Sequence, residues 1–255
     1  MGEEFQALSY AEMREQELFT DAAIKSSSGQ EWRVHKVVMS RSGRFFSTAF
    51  SYQSFTGTLD LGVRDNVVQA LIDSAYKGSC DINVENVQEI LRAALMYQLG
   101  PLINTCVTFV LNNMLTPEYA IALKVFVRFH QERLKTFADR DITEVLDKFI
   151  RRNFVDIYER SDIYELEFDE IESLVKEDDL NIPEYELLHF VLEYVNFKQL
   201  DVKALQLLAN VRLDLIDPAN ISQIANENPI LGIEMDRRKD VNVTHRSRWP
   251  RDIVI

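Results

Sequence analysis

From Thr116 to about Leu231 the apolar residues of this 255-residue chain recur at helical spacing. No other feature limits the fold so tightly. Ile142, Val145, Leu146, Phe149 and Ile150 form one stripe, and Leu187, Leu188, Val191, Leu192 and Val195 form another. Three to four apolar positions per two turns bury one face of a helix against a neighbour. Two starts are punctuated in the same way, by Thr116-Pro117 and Asp217-Pro218. In each, a capping side chain precedes a proline whose missing N–H costs nothing in the first turn. Tyr119–Phe129 and Ile142–Phe154 read as helices between these starts. The second half is therefore expected to be a stack of helices.

The first third mixes two periods. Leu8 to Leu18 carries good helix formers, with Leu8, Ala11 and Leu18 near one face. A-A-I-K-S, a turn at Ser28-Gly29 and Q-E-W-R-V read as a hairpin. Val37–Met39 and Phe45–Phe50 read as buried helical segments, and T-L-D-L at 58–61 as a short strand. Val67–Tyr76 has helical spacing and ends at Lys77-Gly78, a stop signal. From Asn86 onward, Val87, Ile90, Leu91, Ala94 and Leu95 share one helical face. The fold class expected is mostly α with a small β-sheet. After Leu231 the apolar period is lost, and 231–255 reads as a linker.

The charge is −13, with 28 basic against 41 acidic residues. That balance argues against nucleic acid or an anionic membrane as main partner, because phosphate neutralisation needs surplus Lys and Arg. Between Asp156 and Glu193 there are 14 acids and two bases, Arg160 and Lys176, a pattern usual for a solvated helix surface. Two cysteines, Cys80 and Cys106, fit buried free thiols in a reducing compartment. No apolar segment behind a basic flank marks a secretory signal and no run approaches a membrane span, so the expectation is a cytoplasmic or nuclear protein. The glycosylation patterns at Asn220 and Asn242 are then expected to be chance.

No catalytic constellation can be assembled. The eight glycines are scattered, which excludes a dinucleotide fingerprint or phosphate-cradling loop. His35, His130, His189 and His245 lie far apart, and neither cysteine has a partner at zinc spacing. Neither an enzyme nor a cofactor or metal is expected.

F-T-D-A-A-I followed by V-H-K-V-V-M-S-R-S-G-R-F-F resembles the BTB/POZ domain, and so do the later segments with Y-K-G and N-V-Q-E-I-L-R-A-A-L-M-Y-Q-L. The likeness spans about 8–115. K-F-I-R-R-N-F, D-I-Y-E-L-E-F-D-E-I, K-E-D-D-L-N-I and V-R-L-D-L-I-D-P resemble the BACK domain that follows BTB in kelch-like proteins, here over 116–230. R-W-P-R-D-I-V-I reads either as the first strand of a kelch propeller or as an ordinary apolar end.

The resemblance implies an α+β BTB domain followed by an all-α BACK domain. It implies that His35-Lys36 is structural, with the imidazole at a strand-to-helix junction and Val37, Val38 and Met39 in the core. It also implies a homodimer, with Leu8, Met13, Leu18 and Phe19 in the seam and Asp21 and Lys36 in a charged pocket beside it. An intrachain ion pair between those two is the alternative. The main implied partner is the cullin-3 N-terminal domain, making the chain a substrate adaptor of a cullin-3 ubiquitin ligase. Tyr52 and Phe55 and a helix pair from Pro117 to about Leu134, with Tyr119, Val125, Phe126 and Phe129, would carry that contact. The substrate would be an unknown protein.

One loop departs from the family. Adaptors carry a hydrophobic-x-glutamate motif after the segment matching Phe45–Phe50. Here Phe55 is followed by Thr56 and Gly57 in a shortened loop. Losing one charge-assisted bond there costs roughly 1.5–3 kcal/mol, about tenfold or more in affinity. A dimeric scaffold outside ubiquitin ligases, cytoskeletal or transcription-related, therefore stands as the alternative.

Overall fold

The computed structural model describes residues 8–53 and 55–238. The residues separate into two compact units, one of residues up to Met114 with His130–Ile142, the other of Leu115–Phe129 and Thr143 onward.

The first unit is built round a three-stranded sheet of order β2-β1-β3, with β1 Ala22–Lys25, β2 Glu31–Val34 and β3 Thr58–Asp60. β1 and β2 form the expected hairpin in the register Ala22↔Val34 to Lys25↔Glu31, turning through Gly29 at φ +90°. β3 runs parallel to β1, Ala23 opposite Thr58 and Ile24 opposite Leu59. Parallel neighbours need a crossover. It is made by α2 (Lys36–Ser42) and α3 (Arg44–Ser51). Ala22, Ala23 and Ile24 of the central strand are buried.

Of the three residues Val37–Met39, only Val38 and Met39 enter the core; Val37 is 57% exposed. Successive helical residues turn by about 100°, so three in a row cannot share a buried face. Gly43 stands between α2 and α3, where a Cβ would lie 2.6 Å from Leu99 Cδ2 and 2.7 Å from the Gln98 carbonyl oxygen, so the close approach requires glycine. α4 (Asp65–Lys77) ends as expected at Gly78, at φ +72°. α5 (Val87–Met96) buries Val87, Ile90, Leu91, Ala94 and Leu95. α6 (Gly100–Asn113), missed by the sequence reading, supplies Leu102, Ile103, Cys106, Val107 and Val110 to the core. The expected helix over 8–18 is shorter. α1 covers Tyr10–Glu15, capped by Ser9 and Glu12, and Glu17 then turns the chain at φ +53°.

α7 is one helix, Pro117–Phe137, where a helix pair was expected. Its residues up to Phe129 cluster with the second unit. There α8 (Ile142–Arg152), α9 (Phe168–Lys176), α10 (Glu184–Lys198), α11 (Asp201–Leu208), α12 (Pro218–Glu227) and α13 (Pro229–Arg238) follow in order. Leu146, Ile150, Phe154, Leu187, Leu188 and Val191 are buried, whereas Val145 at the edge of its stripe is exposed. Asp217 caps α12 by accepting from the Ala219 N–H at 2.8 Å.

α13 corrects the reading of 231–238 as linker. Its inward face carries Leu231 and a glutamate, Glu234, which is buried and pairs with Arg238 at 2.8 Å and Arg237 at 3.1 Å. Arg238 also donates to the Val211 carbonyl at 2.8 Å and the Leu208 carbonyl at 2.5 Å. A charged residue inside a helix contact hides that face from an apolar count. The R-W-P-R-D-I-V-I segment lies outside the described residues.

Candidate protein-interaction surfaces

His35 holds the first of these surfaces in place. It is 4% exposed and ends β2 as the residue before α2. Its backbone N–H donates to the Tyr76 hydroxyl at 2.6 Å, Nδ1 lies 2.8 Å from the same hydroxyl, and Nε2 lies 2.8 Å from the Leu18 carbonyl. A carbonyl only accepts, so Nε2 carries a proton toward Leu18, while Nδ1 is hydrogen-bonded to the Tyr76 hydroxyl. Both ring nitrogens are thereby satisfied. The Tyr10 ring packs edge-on against it at 5.6 Å. The histidine is structural, as read from its sequence setting, and it anchors the segment that follows α1.

That segment ends in an apolar display. Phe19 is 82% exposed at φ +58°, and Leu8 and Leu18 are exposed beside the half-buried Met13. Tyr10 and Val37, not foreseen, are exposed as well. A bulky residue in the left-handed region is a backbone outlier. Asp21 does not meet the Lys36 ammonium among the described contacts. Its carboxylate accepts from the Lys36 backbone N–H at 2.7 Å, and Lys36 Nζ stands 4.9 Å over the Phe55 ring. The sequence pattern pairs the two positions; the fold turns one into a helix cap and the other into a cation–π contact.

Tyr52 is 69% exposed, and Phe55 is half-buried, edge-on to Phe50 at 5.2 Å. Gly57 adopts φ +102°, and its carbonyl accepts from Ala23 N–H at 2.8 Å, entering the β1–β3 pairing. A side chain at that φ is strained. The glycine that displaces the expected glutamate is thus required by the local backbone.

On α7 the four expected residues divide between faces. Phe126 is buried and Tyr119, seven residues earlier, is half-buried with it, whereas Val125 is half-buried and Phe129 is 75% exposed. Seven residues make nearly two turns, so Tyr119 and Phe126 share a face that Val125 cannot. Arg128 is committed to Glu170 at 2.6 Å, which fixes the helix beside Phe129.

Burial pushes the Cys106 thiol up to about 12, and Cys80 is shifted the same way, by burial and then by Asp73 and Asp81. Both cysteines are free, Cys106 buried and Cys80 half-buried. Among the described residues no cluster of His, Cys, Asp and Glu is arranged to hold a metal ion, and no helix is long and apolar enough to cross a membrane.

The BTB/POZ domain family matches residues 10–114, and the family described as BTB And C-terminal Kelch matches 127–226. This chain is a BTB–BACK protein of the kelch-like family. Its α+β first part and helical second part are the fold that membership entails. It is 25% identical over 224 residues to human Kelch repeat and BTB domain-containing protein 12, covering 84% of this chain and 34% of that one. It is 26% identical over 210 residues to human Kelch-like protein 6, covering 79% of this chain and 32% of that protein. The chain thus spans about a third of the length of these curated relatives. The BTB domain of zebrafish PATZ1 aligns at 19% identity and a TM-score of 0.36, over 40% of this chain and 84% of that domain.

Proposed function

We propose that this kelch-like chain is the dimerising and cullin-3-binding part of a substrate adaptor for a cullin-3 ubiquitin ligase, and that it is not an enzyme. Family membership supplies the partner class. The observation that carries the reading further is the exposure of large aromatics where such partners are expected: Phe19 after α1, Tyr52 after α3 and Phe129 on α7. Exposed apolar rings of this size are the usual anchors of protein interfaces. Phe19, with Leu8, Leu18 and Met13, forms the homodimer seam, with Asp21 and Lys36 ordering the backbone next to it. Tyr52 and Phe55 of the first unit and Val125 and Phe129 of the second meet the cullin. Phe126 and Tyr119 support α7 from inside. The protein substrate is bound elsewhere, and the cytoplasm or nucleus is the compartment.

A second reading, a dimeric scaffold that takes no cullin, is favoured by Gly57. The loop conformation at φ +102° admits no glutamate without strain, so the usual charge-assisted contact is replaced or lost.

Calorimetric titration with the cullin-3 N-terminal domain, with light scattering on the same sample, tests both. A dimer binding two cullins at submicromolar affinity, weakened at least tenfold by Phe129→Ala, is the expected result. A clean dimer with no heat of binding refutes the adaptor and leaves the scaffold.

A further inference from the structure

Glu186, His189, Phe190 and Glu193 of α10 stand at i, i+3, i+4 and i+7, so one helical face carries all four. Tyr158, Glu159 and Tyr164, from the turns after α8, complete the walls of a cavity of about 360 Å³. The Tyr158 hydroxyl is within 3.1 Å of both Glu159 and Glu186, and the Tyr164 hydroxyl lies 3.4 Å from Glu193. The Phe190 ring meets Tyr158 edge-on. His189 adds a buried Nε2 that has no hydrogen-bond partner among the described residues.

Three carboxylates therefore gather round aromatic walls, and among the described residues no lysine or arginine lines the cavity. The two bases of the acidic stretch are engaged elsewhere. Arg160 pairs with Asp162 at 3.2 Å and donates to the Glu118 carbonyl at 3.3 Å, and Lys176 pairs with Glu172 at 2.9 Å. A merely solvated acidic face would not need aromatic walls or an orphaned ring nitrogen. Burial first, then the bonds to Glu159 and Glu186, push the Tyr158 phenol above its ordinary value, so it stays a donor and the carboxylate charge is not relieved.

We infer that this cavity receives an arginine side chain of a protein partner. A guanidinium is planar, presents five donors to several carboxylates at once and stacks on aromatic faces. A lysine ammonium is a compact, strongly hydrated charge that serves fewer acceptors. A metal ion needs ligands converging on one point, and no such group of three exists among the described residues. The inference stands apart from cullin binding, which uses other residues.

The test is an NMR titration of the whole chain with capped Gly-Arg-Gly, Gly-Lys-Gly and Gly-citrulline-Gly at fixed ionic strength. The expected result is saturable shifts of the His189, Tyr158 and Tyr164 ring signals with the arginine peptide alone. Glu186→Gln and Glu193→Gln should each weaken binding about tenfold, the loss of one charge-assisted bond. Glu193 is exposed, so its variant keeps the fold and decides the matter if Glu186→Gln does not. No saturation with the arginine peptide, an equal response to lysine or citrulline, or unchanged binding by Glu193→Gln would each overturn the inference.

Discussion

Replacing Tyr76 by phenylalanine tests the anchor beneath the proposed dimer seam. The ring stays and one oxygen goes, but that oxygen serves His35 twice, at 2.6 Å from the backbone nitrogen and 2.8 Å from Nδ1. His35 is buried, so both groups lose their partner together. An orphaned buried donor or acceptor costs about 1–3 kcal/mol. Tyr76 is itself half-buried, and water reaching the gap would offset part of the loss. A total of about 3 kcal/mol follows for the first unit. At a urea slope of about 2 kcal/mol per M, the unfolding midpoint falls by about 1.5 M. Amide exchange at Leu18 should quicken as well, because its carbonyl is bound by the ring that Tyr76 orients. A midpoint shift below about 0.3 M, with exchange at Leu18 unchanged, would refute the argument that this hydroxyl locks the segment.

Gly57→Glu restores the family's residue but should not restore its contact. At φ +102° the side chain costs about 1–3 kcal/mol, read as a lower thermal midpoint, with no gain in cullin affinity by calorimetry. Glu234→Ala should cost the second unit about 2 kcal/mol in denaturant unfolding, less than a fully buried pair because Arg238 is partly exposed and keeps its carbonyl partners. The Glu12 carboxylate is held below the ordinary glutamate range first by the Ser9 backbone N–H and then by the Ser9 hydroxyl. Its folded pKa is depressed, so the α1 cap is present above the ordinary range and is lost as pH falls through the lowered value. A carboxyl titration by NMR should show that midpoint, and Ser9→Ala should raise it only part of the way, because the backbone N–H remains.

Several elements were legible because their signals are local. Gly78 ends α4, Asp217-Pro218 begins α12, and the stripe of α10 is buried residue for residue. Others were hidden for definable reasons. α6 opens at Gly100-Pro101, and its exposed face is marked by Thr105 and Thr108, whose weak polarity leaves only a faint contrast with the buried face. α13 buries a paired glutamate where the pattern seeks a hydrophobe. The candidate surfaces show the same division: Phe19 and Phe129 were identified from sequence and are exposed, while the aromatic–carboxylate cavity draws on Tyr158 and Glu193, distant in sequence, and looked like an ordinary acidic stretch.

The helical stripes, their caps and stops, and the family could be read along the chain, because they depend on residues a few positions apart or on motifs kept in order. That β3 lies parallel to β1, that Asp21 accepts from the Lys36 backbone N–H instead of pairing with its ammonium, and that residue 57 sits at a φ favouring glycine could not. Those outcomes rest on hydrogen bonds and backbone angles set by segments meeting in space, and a one-dimensional pattern carries no record of which donor reaches which acceptor.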